Sequence, residues 1–165
     1  MKYLLHGNYR GPLLVRLTLS WALSFLALLW ITNVLLYFQH MNLHPASVVH
    51  YYLGADEDFA APRSYGSMLE VAHAHFAMMG LVLLLLTHLA IFIPWPLRTR
   101  VVLVCATFAS ALLEESGGWL VRFVSPGFAP LKIAGFLGLQ AGLAVLLVAL
   151  AVHLNRRPPG GPGEA

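Results

Sequence analysis

The feature that most constrains this chain is a set of four long apolar blocks with very little charge inside them. A helix needs about 20 apolar residues to cross the hydrocarbon layer of a bilayer, and each block meets or approaches that length. Charged residues make up only 10% of the chain, whereas roughly a quarter of a soluble domain is charged. The sequence therefore predicts an all-α integral membrane protein built as a four-helix bundle.

We predict one membrane domain over residues 1–157 and a disordered tail over residues 158–165, which is rich in proline and glycine. The predicted spans cover about residues 12–38, 68–93, 100–120 and 131–154. Ser67 and Glu70 form an S-x-x-E capping box at the start of the second span. The first apolar stretch is much longer than the core of a secretory signal, so we interpret it as the first span.

The basic residues indicate how the spans are oriented, because cytoplasmic loops carry an excess of lysine and arginine. Seven basic residues flank one side of the predicted bundle: Lys2, Arg10, Arg16, Arg98, Arg100, Arg156 and Arg157. Three flank the other side: Arg63, Arg122 and Lys132. We therefore expect both termini inside, in the cytoplasmic membrane of a bacterium. The scattered basic residues form no patch for nucleic acid.

The first external loop is too long to be a simple connector and carries a helix of its own. Residues 44–54 place Pro45 near the start of this short helix and Gly54 after its end, the usual positions of these two residues. Tyr51 and Tyr52 favour the membrane interface. The loop therefore predicts a short interfacial helix.

Ionisable side chains inside a membrane are costly, so each of them raises a functional question. Those in the predicted spans are His73, His75, His88, Glu114, Glu115 and, at the inner boundary, His153. A rise of about 1.5 Å per residue places His73, His75 and the two glutamates in the outer half of the membrane. The other two histidines lie at a similar depth in the inner half.

The buried histidines point to haem as one cofactor, because neutral imidazole is a common ligand of haem iron and a bundle core offers facing partners. We expect His73 or His75 to hold a b-type haem in the outer half, and His88 with His153 to hold one in the inner half. Small residues on the His73 face leave room for a flat macrocycle. The alternative is that these histidines are hydrogen-bonded core residues.

A second cluster points to a metal ion, copper, zinc or iron, near the outer surface. The candidate ligands are His40, His44, His50, Glu114 and Glu115. His40 and His44 share one helical face if the first span continues that far. Adjacent glutamates point about 100° apart, so we expect only one of them to face the core. The alternative reading of residues 114–119 is the end of a helix, where the acids meet water and Arg122.

Glycines line one side of the fourth span at Gly135, Gly138 and Gly142. Small residues let helices approach closely in lipid, so this side is a candidate contact face for a homo-oligomer. Cys105 is the only cysteine, which excludes a disulfide within one chain.

Residues 73–80, HAHFAMMG, resemble the H-x-H-x-x-x-x-G helix of haem-copper oxidase subunit I, nearest the short FixN-like four-span membrane proteins. The resemblance covers these eight residues. It implies that His73 binds a high-spin haem and His75 a low-spin haem on the opposite face. The polar residue and the tryptophan usual around that glycine are absent, so the resemblance implies a haem-binding membrane subunit and not oxygen reduction.

The sequence thus favours a membrane electron-transfer protein, or a subunit of a redox complex, that binds haem b. Its expected partners are the lipid bilayer, a quinone, and a c-type cytochrome or other redox subunits. No nucleophile triad or phosphate-binding loop is present, so a redox subunit is favoured over a stand-alone enzyme. Two alternatives stay open: a non-enzymatic metal-binding or transport protein, and a structural or assembly subunit.

Overall fold

Long apolar helices dominate the chain, and the computed structural model describes residues 13–55 and 59–155 of it. The α-helices in this part are α1 (Leu13–His40), α2 (Pro45–Leu53), α3 (Tyr65–Ala90), α4 (Leu97–Phe123) and α5 (Ala129–Asn155), with a 3-10 turn at Pro126–Phe128 before α5. Four of these helices are long and apolar enough to cross a membrane. The prediction of an all-α four-helix membrane bundle is confirmed. The predicted tail, residues 158–165, lies outside the described residues.

The start of α3 differs from the predicted capping box. The N-cap is Ser64, whose Oγ accepts a hydrogen bond from the backbone N–H of Ser67 at 3.1 Å. The prediction that the cap is Ser67 was wrong by one helical turn. A serine oxygen satisfies an otherwise unpaired N–H at either position, and Ser64 has the extended backbone that a cap requires.

The short helix in the first loop is confirmed as α2. His44 caps its start, with Nδ1 accepting the backbone N–H of Ala46 at 3.3 Å. Gly54 ends it in a left-handed conformation, at a φ of 72°, which costs glycine little. Because α1 ends at His40, the condition under which His40 and His44 would share one helical face is not met.

The tightest contact in the bundle is the antiparallel pair α4 and α5. Gly135 lies against the backbone of Leu113 and Glu114, while Gly138 and Gly142 lie against Ser110 and Thr107. Helices in lipid gain stability from close packing of this kind, which small residues allow. The glycine side of α5 therefore packs against α4 of the same chain, which confirms the close helix contact, and this face is not open to a second copy. A homo-oligomer stays a prediction.

Helices α1 and α3 flank this pair loosely, and Tyr37 is the buried residue that α1 contributes. The helix α2 covers one end of the bundle, which we call the α2 end. There Val48 and Tyr52 are buried in one cluster with Phe136, whose ring stacks on Tyr37 at a centroid distance of 3.6 Å. Residues of this hydrophobic cluster also line the cavity that contains the polar residues described next.

We expect Gly135→Ala to destabilise the bundle by about 1–3 kcal/mol, because the added methyl group collides with backbone that cannot move cheaply. The measurement is thermal unfolding in detergent, followed by circular dichroism. Gly80→Ala is the matched control. A methyl group there meets no atom within 4 Å, and alanine favours the helix by about 1 kcal/mol. Equal melting of the two variants would contradict the packing argument.

Candidate functional site

Four ionisable side chains from three helices meet at the α2 end, and we call them the polar cluster: His75, Glu114, Glu115 and Lys132. His75 of α3 and Glu115 of α4 are joined by a hydrogen bond of 3.0 Å between Nδ1 and Oε2. Only 8% of the Glu115 side chain is exposed, whereas 48% of the His75 side chain is exposed. The carboxylate thus orients an imidazole that remains accessible.

Lys132 of α5 is the residue that sequence reasoning missed. It is buried, and its Nζ donates to the carboxylate and, at 2.8 Å, to the backbone oxygen of Glu114. We counted Lys132 only among the charges that flank the spans. The sequence does carry a signal for the pair of Glu114 and Lys132. Lys132 is a cation just inside an apolar span, and the preceding span carries two carboxylates at a similar depth.

Both glutamates face the interior, so the expectation that only one of them does was wrong. Glu115 pairs with His75 of α3, and Glu114 pairs with Lys132 of α5. Their directions differ by about 100°. Because α4 has a neighbour on each side at this level, that offset directs each carboxylate toward a different partner.

Two glycines follow the glutamates and let the neighbouring elements approach α4. A Cβ atom on Gly117 would lie 2.8 Å from Cα of Lys132, and one on Gly118 would lie 2.7 Å from Cζ of Tyr52. The helix continues through both glycines to Phe123. The alternative reading of this stretch as a helix end was therefore wrong.

Tyr52 of α2 lies beside the polar cluster, outside the membrane spans. Burial is the main cause that raises the pKa of its hydroxyl, and the charge of Glu114 adds to it, while the Lys132 ammonium opposes both. The Lys132 Nζ lies 5.9 Å from the centre of the Tyr52 ring. Tyr52 therefore stays neutral and keeps its O–H as a donor at the edge of the site.

The polar cluster lines a cavity of about 130 Å³, which we call the polar cavity. It shares Asn33, Leu36, His75 and Glu114 with a second cavity of about 390 Å³ that runs between α1 and α3. Apolar side chains dominate the second cavity, which we call the apolar slot. His75 thus stands where a polar space meets an apolar one.

The remaining histidines proposed as haem ligands lie elsewhere. His73 is exposed on α3 and lines neither of these two cavities. His88 is also exposed, and its ring contacts that of Phe92 at a centroid distance of 6.0 Å. His153 is buried and lines a pocket with Ile93, Trp95 and residues of α5, a lining that does not include His88. The pairing of His88 with His153 stays a prediction.

The loop histidines also differ in surroundings. His40 lines the polar cavity, and its ring contacts Tyr51 at a centroid distance of 5.4 Å. His44 is occupied as the cap of α2, and His50 is exposed. None of the three belongs to the group of possible metal ligands described next.

Among residues 13–55 and 59–155, His75, Glu114 and Glu115 form the group whose possible ligand atoms all lie within 4.8 Å of one another. The group combines one imidazole with two carboxylates. This donor set suits zinc and iron(II), whereas copper(I) prefers sulfur ligands. The structure therefore joins His75 from the haem hypothesis to both glutamates from the metal hypothesis.

The fold and the apolar helices define a multi-pass membrane protein. A family model described as a transmembrane helical domain, Aq_1264_TM, matches residues 42–160, well over half of the chain. The chain therefore belongs to this family. The matched region contains α2 and the whole polar cluster and begins after α1. No curated protein and no solved structure matches the chain.

We expect Lys132→Met to destabilise the protein by about 3–5 kcal/mol, because it leaves the Glu114 carboxylate buried without its cation. The double variant Glu114→Gln with Lys132→Met should recover most of that loss. Thermal unfolding in detergent measures both, with the exposed Arg98→Met as control. Additive losses in the double variant would show that the two side chains do not act as a pair.

Proposed function

We propose that this membrane protein binds a divalent transition-metal ion through His75, Glu114 and Glu115. The observation that carries the proposal is the approach of their ligand atoms to within 4.8 Å in a cavity at the α2 end. Ligand atoms of a tetrahedral zinc site lie roughly 3.3 Å apart, given bonds of about 2.0–2.2 Å. The ligand atoms of His75 and Glu115 lie 3.0 Å apart, close to that spacing, and a bound ion would replace the proton between them. Glu114 lies within 4.8 Å and would move closer to complete the set.

Lys132 limits how tightly such an ion is held. Its ammonium group occupies one oxygen of Glu114, and an incoming dication must share that carboxylate with it. Histidine binds a metal ion as neutral imidazole, so the two carboxylates and the one ammonium give the site a net charge of about −1 in the state that accepts the ion. This balance attracts a cation but favours reversible binding, as expected of a protein that handles or transports a metal ion.

Electron transfer by a redox subunit that binds haem b is the second candidate, and the surroundings of His75 favour it. A hydrogen bond from a histidine nitrogen to a carboxylate orients the ring and makes the other nitrogen a better ligand. His75 has this bond to Glu115 and also lines the apolar slot. His73 and His88 are exposed, so in this proposal they would serve haem only at a contact with a partner subunit.

One experiment separates the two candidates: elemental analysis and zinc titration of purified protein, combined with an absorbance spectrum. For the metal site we expect stoichiometric zinc binding that weakens at least about tenfold in His75→Ala and Glu115→Gln. The exposed Glu70→Gln, on α3, is the control and should bind as the wild type does. A reducible Soret band that disappears in His75→Ala would favour haem instead. A colourless protein that takes up no metal would contradict both candidates.

We also propose that the α2 end faces the outside of a bacterial cytoplasmic membrane, with both termini inside. Arg98 and Arg100 at the start of α4 support this orientation through the excess of basic residues in cytoplasmic loops. In a Cys105→Ala background, a membrane-impermeant maleimide should label Gly127→Cys in intact cells. Thr99→Cys should react only after permeabilisation. The reverse pattern would overturn the orientation.

A further inference from the structure

We propose that the apolar slot binds an isoprenoid quinone or quinol, with its ring beside His75 and Trp30 and its tail between α1 and α3. The slot is a second cavity that shares His75 and Glu114 with the polar cavity, so a quinone ring there would lie next to the proposed metal site. The slot also gives a location within the chain to a partner that the sequence suggested only as a class.

The shape of the slot suits a ring with a hydrocarbon tail. At about 390 Å³ it is larger than the polar cavity, and its lining is mostly leucine, methionine and valine. Leu29, Leu36 and Met78 of this lining are exposed, so the slot opens between α1 and α3 toward the lipid. Methionine side chains are flexible and make favourable contacts with aromatic rings.

Polar groups stand where the two oxygens of such a ring would be. His75 has Nδ1 engaged by Glu115, which leaves Nε2 for a ligand, and Asn33 lines the junction of both cavities. Trp30 lies three residues before Asn33 on α1, about 4.5 Å along the helix. Its Nε1 is buried and has no hydrogen-bond partner within the part of the chain that the structure describes, and Trp30 lines both the slot and a neighbouring pocket between α1 and α5.

An unpaired N–H donor in an apolar medium is costly, so a small rotation of the Trp30 ring that let Nε1 donate to a carbonyl oxygen in the slot would be stabilising. A quinone has two carbonyl oxygens on opposite sides of its ring. We place one oxygen beside His75 and Asn33 and the other beside Trp30, since all three residues line the slot.

The charges at the junction favour an uncharged head group over a lipid phosphate or a fatty-acid carboxylate. Glu114 lines both cavities, and its nearest cation, Lys132, is already paired with it. Arg63 lines only the polar cavity, where its guanidinium group lies 4.2 Å from the centre of the Tyr51 ring. Among the described residues that line the slot there is no lysine or arginine, so an anionic head group would face the Glu114 acid without one.

The test titrates the detergent-solubilised protein with decylubiquinone and follows the quenching of tryptophan fluorescence. We expect saturable quenching whose midpoint rises about tenfold or more in Val82→Phe, because phenylalanine fills the slot. The control is Leu81→Phe, the adjacent residue, which is exposed and does not line the slot. Equal midpoints for the two variants, or quenching that does not saturate, would overturn the proposal.

A photoreactive azidoquinone provides a second measurement that needs no substitution. Crosslinks at residues 26–36 of α1, 75–86 of α3 or 139–147 of α5 support the slot, and crosslinks confined to residues that do not line it overturn the proposal. Displacement of the label by a phosphatidylglycerol at the same concentration as by decylubiquinone would overturn the choice of a quinone. Zinc uptake is measured on the same preparation. A protein that binds zinc but no quinone would overturn the quinone proposal alone, and one that binds quinone but no zinc would overturn the metal site alone.

Discussion

Close packing of α4 against α5 is the contact on which the rest of this structure depends. In lipid there is no hydrophobic force to hold two apolar helices together, so backbones must approach closely enough for dispersion and hydrogen bonds to do so. Gly117 and Gly135 allow that approach from both sides. Because the two backbones nearly touch at this level, Lys132 reaches both the carboxylate and the backbone oxygen of Glu114.

The buried pair of Glu114 and Lys132 in turn shapes what the neighbouring residues can do. It neutralises one carboxylate of the cluster and leaves Glu115 to orient the imidazole of His75. His75 then stands between the polar cavity and the apolar slot. Metal binding, haem ligation and quinone binding all draw on this one side chain, so they are distinguished by the ligand that is measured: zinc uptake, a Soret band or quenching by a quinone.

Several features were predictable because they depend on local sequence. Uninterrupted apolar length determines a span, and proline and glycine mark the ends of α2. The predictions failed where neighbouring helices decide the outcome. The pair Gly117 and Gly118 suggests a helix end when read alone, but packing against Lys132 and Tyr52 carries the helix through it. Lys132 was taken for a flanking charge because its partner lies on another helix, 18 residues away.

By itself, then, the sequence determined that this chain is an all-α membrane protein with four spans, a short helix in the first loop, and histidines and acids at membrane depth. Only the tertiary structure decided which of those ionisable residues meet. It joined His75 to Glu115 and Glu114 to Lys132, and it left His73 and His88 exposed. The physical reason is that span length is set by one helix in contact with lipid, whereas a site requires the rotation and spacing of several helices, which only their mutual packing determines.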